Sequence, residues 1–196
     1  HSEEIANYNY NNPKFSKHLW LYEGMTEYFT IHMPIKNKVQ DLPTFFRVLQ
    51  RKIKESKQFD KDLSLTELSL SPMDKQDQYY NVYLKGSLTN MCLDIELRDY
   101  SDGVYGVQDL VVQLLAKYGP DRAFKDKEFF EEIIALTKWP GMRNFIEQYL
   151  EGTTPLPLKE YFERVGFKFN EGTLILSENE AASAEQLQLR KYWIDQ

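Results

Sequence analysis

The sequence predicts a mainly α-helical domain, a multi-helix array with a small β-hairpin near its C-terminus. Three observations predict it. Apolar residues recur at three- and four-residue spacing through most of the chain; the periodic stretches are cut by tight turns at Tyr118-Gly119-Pro120, Trp139-Pro140 and Gly152-Thr153-Thr154-Pro155; and only near the end do two short β-prone runs flank a turn.

The first stretch, Asn7 to Pro13, is rich in turn formers and reads as loop. From Ser16 the residues Leu19, Tyr22, Met25, Tyr28, Phe29 and Met33 take helical spacing, with Ser16 as N-cap and Pro34 as stop, so a first helix is expected from Ser16 to Met33. A second starts at Asp41 with Pro43 in its first turn and Phe45, Phe46, Leu49 and Ile53 as its apolar stripe. Its lysine-rich end, Lys52 to Lys57, reads as a solvated face. Leu63 to Leu70 alternates at period two without a hairpin partner and is expected to be irregular or extended. The next helix covers Tyr83 to Arg98, with Leu84, Leu88, Met91, Cys92 and Ile95 buried. Shorter helices follow at 107–117, 126–137, 141–150 and 158–165. Phe167-Lys168-Phe169 and Thr173 to Leu176 then flank Asn170-Glu171-Gly172 as a hairpin, and the charged tail holds one amphipathic helix through Leu187, Leu189, Tyr192 and Trp193. The resulting division is a loop over 1–15, a helical body over 16–166, and a hairpin with a final helix or linker over 167–196.

Composition narrows the function. With 42% hydrophobic and 28% charged residues, the 196-residue chain can bury its own core. A net charge of -6 is unsuited to tracking phosphates, so nucleic acid is not an expected partner. No apolar run reaches the roughly 18 residues of a membrane span. The single cysteine, Cys92, stands among Met91, Leu93 and Ile95 and is expected in the core. There is no G-x-S-x-G elbow and no phosphate-cradling glycine loop. The three histidines, His1, His18 and His32, lack the i, i+4 spacing that would place two imidazoles on one helix face for a metal, and His18 and His32 are expected as surface or capping residues.

Two positions stand out. Glu23 shares a helix face with Thr26, Glu27 and Thr30, opposite the Leu21, Met25, Tyr28 stripe. Tyr83 shares a face with Ser87, Asn90 and Asp94, away from the apolar stripe of its own helix. Gly24 and Gly86 lie beside them; glycine inside a helix costs about 1 kcal/mol, so close helix approach is expected there.

Leu19-Trp20-Leu21-Tyr22-Glu23-Gly24-Met25-Thr26-Glu27-Tyr28 resembles the W-L-x-E-G-x-x-x-Y segment of the gluzincin zinc metallopeptidases, and Tyr83-Leu84-Lys85-Gly86 resembles their Y-x-K-G motif. With Asp94 to Arg98, Ser101-Asp102-Gly103, Leu110, Tyr118-Gly119, Gly152 to Pro157, Tyr161-Phe162 and Gly166, the chain is similar to the glycyl aminopeptidases, which carry a PDZ domain, from about Leu19 to Phe169. The resemblance implies the helical C-terminal subdomain of such a peptidase, Glu23 as its third zinc ligand and Tyr83 as the catalytic hydroxyl that steadies the oxyanion. It also implies zinc in the intact parent, and an N-terminal residue, glycine or another small one, released from a peptide substrate. The HExxH helix that resemblance requires is not among these residues, and the start at His1-Ser2 fits a cut downstream of it. About 20 residues after the hairpin are too few for a PDZ domain. Alone, the chain is therefore expected to be inactive and to hold zinc weakly or not at all, its partner being the missing HExxH part of the same polypeptide. The alternative is a non-catalytic helical interaction domain in which Glu23 and Tyr83 are ordinary surface residues.

Overall fold

The computed structural model describes residues 1–6, 8–119 and 121–195; Pro120 of the predicted Tyr118-Gly119-Pro120 turn, Asn7 of the N-terminal loop and Gln196 of the tail lie outside them. The chain is an α-helical array closed by one two-stranded hairpin, as its sequence predicts. After α1 (Glu3–Ala6), a π-helical segment (Trp20–Gly24) runs into α2 (Met25–Lys36). There follow α3 (Leu42–Ser56), α4 (Leu65–Leu70), α5 (Gln76–Tyr79), α6 (Asn81–Tyr100), α7 (Val107–Lys117), α8 (Phe129–Thr137) and α9 (Met142–Phe145) with a π-helical continuation (Ile146–Leu150). Then come α10 (Leu158–Arg164), β1 (Phe167–Asn170), β2 (Ile175–Glu178) and α11 (Ala184–Arg190) with a last π-helical turn (Lys191–Asp195).

Where the sequence signals were local, they set the elements. The Asp41 carboxylate accepts the Thr44 N–H at 2.9 Å and starts α3. In the hairpin, Phe167 pairs with Glu178 and Asn170 with Ile175, and the Asn170 side chain caps the N–H groups of Gly172 and Thr173. The second strand begins at Ile175, two residues later than expected, because Leu174 takes a positive φ of 60° in the turn.

Four expectations are corrected. Pro34 does not stop the first helix, which continues to Lys36. Proline removes the hydrogen bond to the carbonyl four residues back, and that residue, Thr30, is on the exposed side where water can serve it. Leu63 to Leu70 is not extended, since Ser64 and Glu67 form a reciprocal capping box and the buried Leu65, Thr66, Leu68 and Ser69 follow helical spacing. The end of α3 is not wholly solvated: Lys52 is buried with its ammonium against the Glu27 carboxylate. The helix predicted from Asp126 starts at Phe129, because the Asp126 carboxylate holds the N-terminal segment, accepting from Ser16 Oγ at 3.0 Å and Lys17 N–H at 2.9 Å.

The long α6 is the centre of the array, with the Trp20–Gly24 segment, α2, α3 and α4 packed around it. Its polar face is buried too. Ser87, Asn90 and Asp94, which the sequence sets away from the apolar stripe of the helix, are enclosed. All three are hydrogen-bonded: Ser87 donates to the Leu84 carbonyl, the Asn90 amide N–H to the Gly86 carbonyl, and Asp94 accepts from Tyr28 (2.6 Å), Arg98 (3.0 Å) and the Val107 N–H (2.8 Å), while the Asn90 Oδ1 finds no partner among the described residues. One large apolar cluster joins α2, α3 and α6 to the hairpin through Phe167, Phe169 and Leu176 and to the C-terminus through Trp193. Cys92 is fully buried, and burial raises its thiol well above the ordinary range. Among the described residues no helix is long and apolar enough to cross a membrane.

The Trp20–Gly24 segment and α6 meet backbone to backbone at two glycines. A β-carbon on Gly24 would lie 2.7 Å from the Gly86 Cα, and one on Gly86 would lie 2.9 Å from the Gly24 Cα. The substitution Gly86→Ala therefore inserts a methyl into backbone that cannot yield cheaply, and we expect a loss of about 3 kcal/mol in urea unfolding, at the upper end of overpacking costs. An Ala at the open Gly119, where the nearest atom is at 3.8 Å, serves as the neutral control.

Candidate active site

Glu23 lies inside the π-helical segment Trp20–Gly24, one residue before the glycine contact. A π turn inserts an extra residue and re-aims the side chains around it, and such turns concentrate at functional sites. Trp20 and Leu21 are buried on the core side while Glu23 is half-buried at the surface. Thr26, one turn on, donates to the carbonyls of Tyr22 (2.6 Å) and Glu23 (3.1 Å), tying this irregular turn to α2.

Tyr83 stands one turn before Gly86 on α6. The close crossing of Gly24 and Gly86 sets the two helices side by side, and the Tyr83 phenol stands against the Glu23 carboxylate. Tyr79 packs edge-on to Tyr83 at 6.0 Å, and Tyr80 flanks it at 5.8 Å. Burial, then the neighbouring Glu23 carboxylate, pushes the Tyr83 phenol well above its ordinary value of 10, so it remains an O–H donor at neutral pH. Burial and the same carboxylate raise Tyr79 as well. The structure therefore brings together the two residues singled out from the sequence, on one side of the molecule, with Tyr79 as a neighbour that the motifs did not indicate. The Tyr79-to-Tyr83 interval of one helical turn was the available signal.

Two further features support this arrangement. The Lys85 ammonium, within the Y-L-K-G run, donates to the Leu63 carbonyl at 3.0 Å and anchors α6 to the segment before α4. One turn beyond Glu23, Glu27 pairs with the buried Lys52 of α3.

Chemically, the site offers one free carboxylate and one or two protonated phenols. Among the described residues no three His, Cys, Asp or Glu side chains converge as a metal-ligand set. A catalytic zinc ion takes three protein ligands, so these residues by themselves do not fit one.

The histidines are not where the sequence suggested. Neither His18 nor His32 is at the surface. His18 is enclosed by the rings of Phe129 and Phe130 at 4.7 and 4.8 Å, with Nε2 3.0 Å from the Asp126 carbonyl. His32 stacks on Tyr28 at 5.0 Å, with Nε2 2.7 Å from the Trp193 carbonyl and 3.6 Å from Asp94. Both are structural, and both are held neutral by burial.

The helical array matches a known architecture. A solved aminopeptidase N family protein from Idiomarina loihiensis shares the fold, with a TM-score of 0.75 and 22% identity over 85% of this chain. The present chain spans 30% of that protein's length. Residues 1–89 match the family of M61 glycyl aminopeptidases, and both motifs lie within the matched stretch. Residues 1–89 are thus similar to M61 peptidases, and the likeness to the aminopeptidase N family protein shows the fold. No curated protein matches it.

The neutral His18 gives a pH test. Burial lowers its folded value to about 4 from the ordinary 6.5. The unfolded chain therefore takes up a proton first as pH falls, and stability that is intact above pH 6.5 is lost progressively toward pH 4. At about 1.4 kcal/mol per pH unit, this one group costs on the order of 3 kcal/mol by pH 4. Urea unfolding of the wild type between pH 7 and 4 should show that loss, and His18→Phe should flatten the profile.

Proposed function

We propose that this chain is the helical C-terminal half of the catalytic domain of a zinc-dependent aminopeptidase. The observation that supports this best is the placement of the Glu23 carboxylate against the Tyr83 phenol across the Gly24–Gly86 crossing. In this reading Glu23 supplies one of three zinc ligands, and the remaining two come from an HExxH helix in the partner portion of the same polypeptide. The chain alone holds no tight zinc site and is inactive. Its substrate is a peptide with a free N-terminus, and neither nucleic acid nor a membrane span enters the function.

The work done by the residues present concerns charge and position. The Tyr83 hydroxyl, kept protonated by its surroundings, donates a hydrogen bond to the oxygen that becomes negative as the peptide carbonyl turns tetrahedral. Because the hydroxyl is borne by a helix locked through Gly86, little reorganisation is needed at the moment of reaction. The Glu23 side chain lies beside that donor, and α3 steadies the next turn of its helix through Lys52 and Glu27. Preference for glycine is the family's, and comes to this chain only through the likeness.

Calorimetric zinc titration of the 196-residue chain should give no tight stoichiometric site. In a polypeptide joining this chain to an HExxH-bearing portion, Tyr83→Phe should leave zinc content unchanged and lower kcat by roughly 10²- to 10³-fold, as loss of one oxyanion donor does. In the same polypeptide Glu23→Gln should lower zinc content measured by atomic absorption. Full activity in both variants would defeat the reading in favour of a non-catalytic interaction domain.

A further inference from the structure

The face of α6 opposite Tyr83 borders a cavity of its own. Asn81, Lys85 and Leu88 recur at i, i+4 and i+7 and share that face. Together with Ile53 near the end of α3 and the loop at 153–156 they line about 430 Å³, within the range of small-molecule pockets. The loop belongs to the Gly152-Thr153-Thr154-Pro155-Leu156-Pro157 run singled out in the sequence, and the Thr154 N–H fixes it by donating to the Gln148 carbonyl at 3.2 Å. Asn81 is 3% exposed, yet its Oδ1 finds no hydrogen-bond partner among the described residues. A buried amide oxygen without a donor destabilises the free protein. One turn on, the Lys85 ammonium gives one N–H to the Leu63 carbonyl at 3.0 Å, which leaves two. Burial lowers the Lys85 pKa, and the Glu67 carboxylate that opposes this is held in the capping box of α4. Lys57 and Lys61, both exposed, add positive charge to the lining, against the Asp60 carboxylate.

We propose that this cavity is a second binding site, separate from Glu23 and Tyr83, and takes the carboxy-terminal residue of a peptide when that residue has an apolar side chain. Three features of the lining select that chemistry. The Asn81 Oδ1 lacks a donor, and the amide N–H of a terminal residue is one. The lysines outnumber the carboxylate, and a terminal carboxylate accepts charge-assisted hydrogen bonds from the two remaining Lys85 N–H groups. Ile53, Leu88, Leu156 and Leu158 form an apolar wall that a leucine-sized side chain would cover. A fatty acid lacks the N–H, an amidated peptide lacks the charge, and a terminal glycine lacks the side chain. A water molecule serves the Asn81 oxygen, but it offers Lys85 no anion and Leu156 no apolar contact. The positive end of the α6 dipole, which begins at Asn81, favours the same carboxylate. Because Asn81 and Lys85 lie across the helix axis from Tyr83, the inference stands without the peptidase reading.

The 196-residue chain tests this by itself. N-acetyl-alanyl-leucine would be titrated against it while the Asn81 side-chain amide and the Leu156 methyls are followed by NMR. Saturable shifts are expected at both. The carboxamide of the same dipeptide, N-acetyl-alanyl-glycine and octanoate should each bind about tenfold more weakly, since each lacks one of the three groups. Asn81→Leu, close to isosteric, should weaken the leucine probe about tenfold and leave the urea midpoint unchanged or higher, because the Oδ1 of the free protein has no hydrogen bond to lose. A lowered midpoint would mark the amide as structural and overturn its role toward a ligand. Lys57→Glu, at an exposed position that folding tolerates, is the second variant and should weaken the probe roughly threefold. Glu23→Gln and Tyr83→Phe should leave probe binding unchanged. No saturable shift, shifts confined to the Glu23 and Tyr83 side of α6, or octanoate bound as tightly as the peptide would overturn the site. Each of these outcomes leaves the zinc and kcat assays of Glu23 and Tyr83 standing.

Discussion

Everything at the candidate site depends on two backbones touching. Gly24 and Gly86 stand where any side chain would collide with the opposing helix. Their contact fixes the separation of the Trp20–Gly24 segment from α6, and the positions of Glu23 and Tyr83 follow from it. Glycine in a helix costs conformational entropy, and here that cost is met by close packing of Trp20, Met25 and Tyr28 against the core around the crossing. The π turn adds the second constraint, since it sets Glu23 outward while Trp20 and Leu21 face in. Site geometry is therefore a property of backbone proximity, and the side chains inherit it.

Beneath the crossing lies a polar core that belongs to the same design. Asp94 is enclosed and receives Tyr28, Arg98 and a backbone N–H from the start of α7. Tyr28 in turn accepts from the Trp193 indole at 2.8 Å, and Arg98 donates to the Tyr192 carbonyl at 2.9 Å. Fully satisfied networks of this kind specify one arrangement of helices, because a shift of any helix would leave a buried charge without its partners. Here they hold α2 in a single register on α6, so that the glycine contact recurs at one place.

The sequence made much of this legible, and the reasons for the rest are physical. Glu23, Tyr83 and the need for close approach at Gly24 and Gly86 can be read from motif and spacing because they are local. The hairpin is legible for the same reason, through Asn170 and Gly172. The burial of Ser87, Asn90 and Asp94 was not, since periodicity treats a polar face as a wet one and cannot show that another helix supplies the partners. His18 and His32 escaped for the same cause: their enclosing rings come from Phe129, Phe130 and Trp193, more than 100 positions away. The helix at Leu65 was available in the Ser64-Leu65-Thr66-Glu67 capping box, a signal masked by the alternation of leucines. The cavity beside Asn81 required α3, α6 and the loop at 153–156 to be placed together, which no local pattern encodes.

The last π-helical turn has a consequence for how the array folds. The Trp193 indole donates to Tyr28 and its carbonyl meets His32, so the helix bearing Glu23 is tied to a residue 165 and 161 positions further along the sequence. Helices whose contacts are near in sequence can form early, whereas closing so long a loop is slow. Until Trp193 docks, the Tyr28 hydroxyl lacks its donor and the polar core beneath the Gly24–Gly86 crossing is incomplete. The register of the Glu23 helix is thereby fixed late in folding, by a residue far from it in sequence.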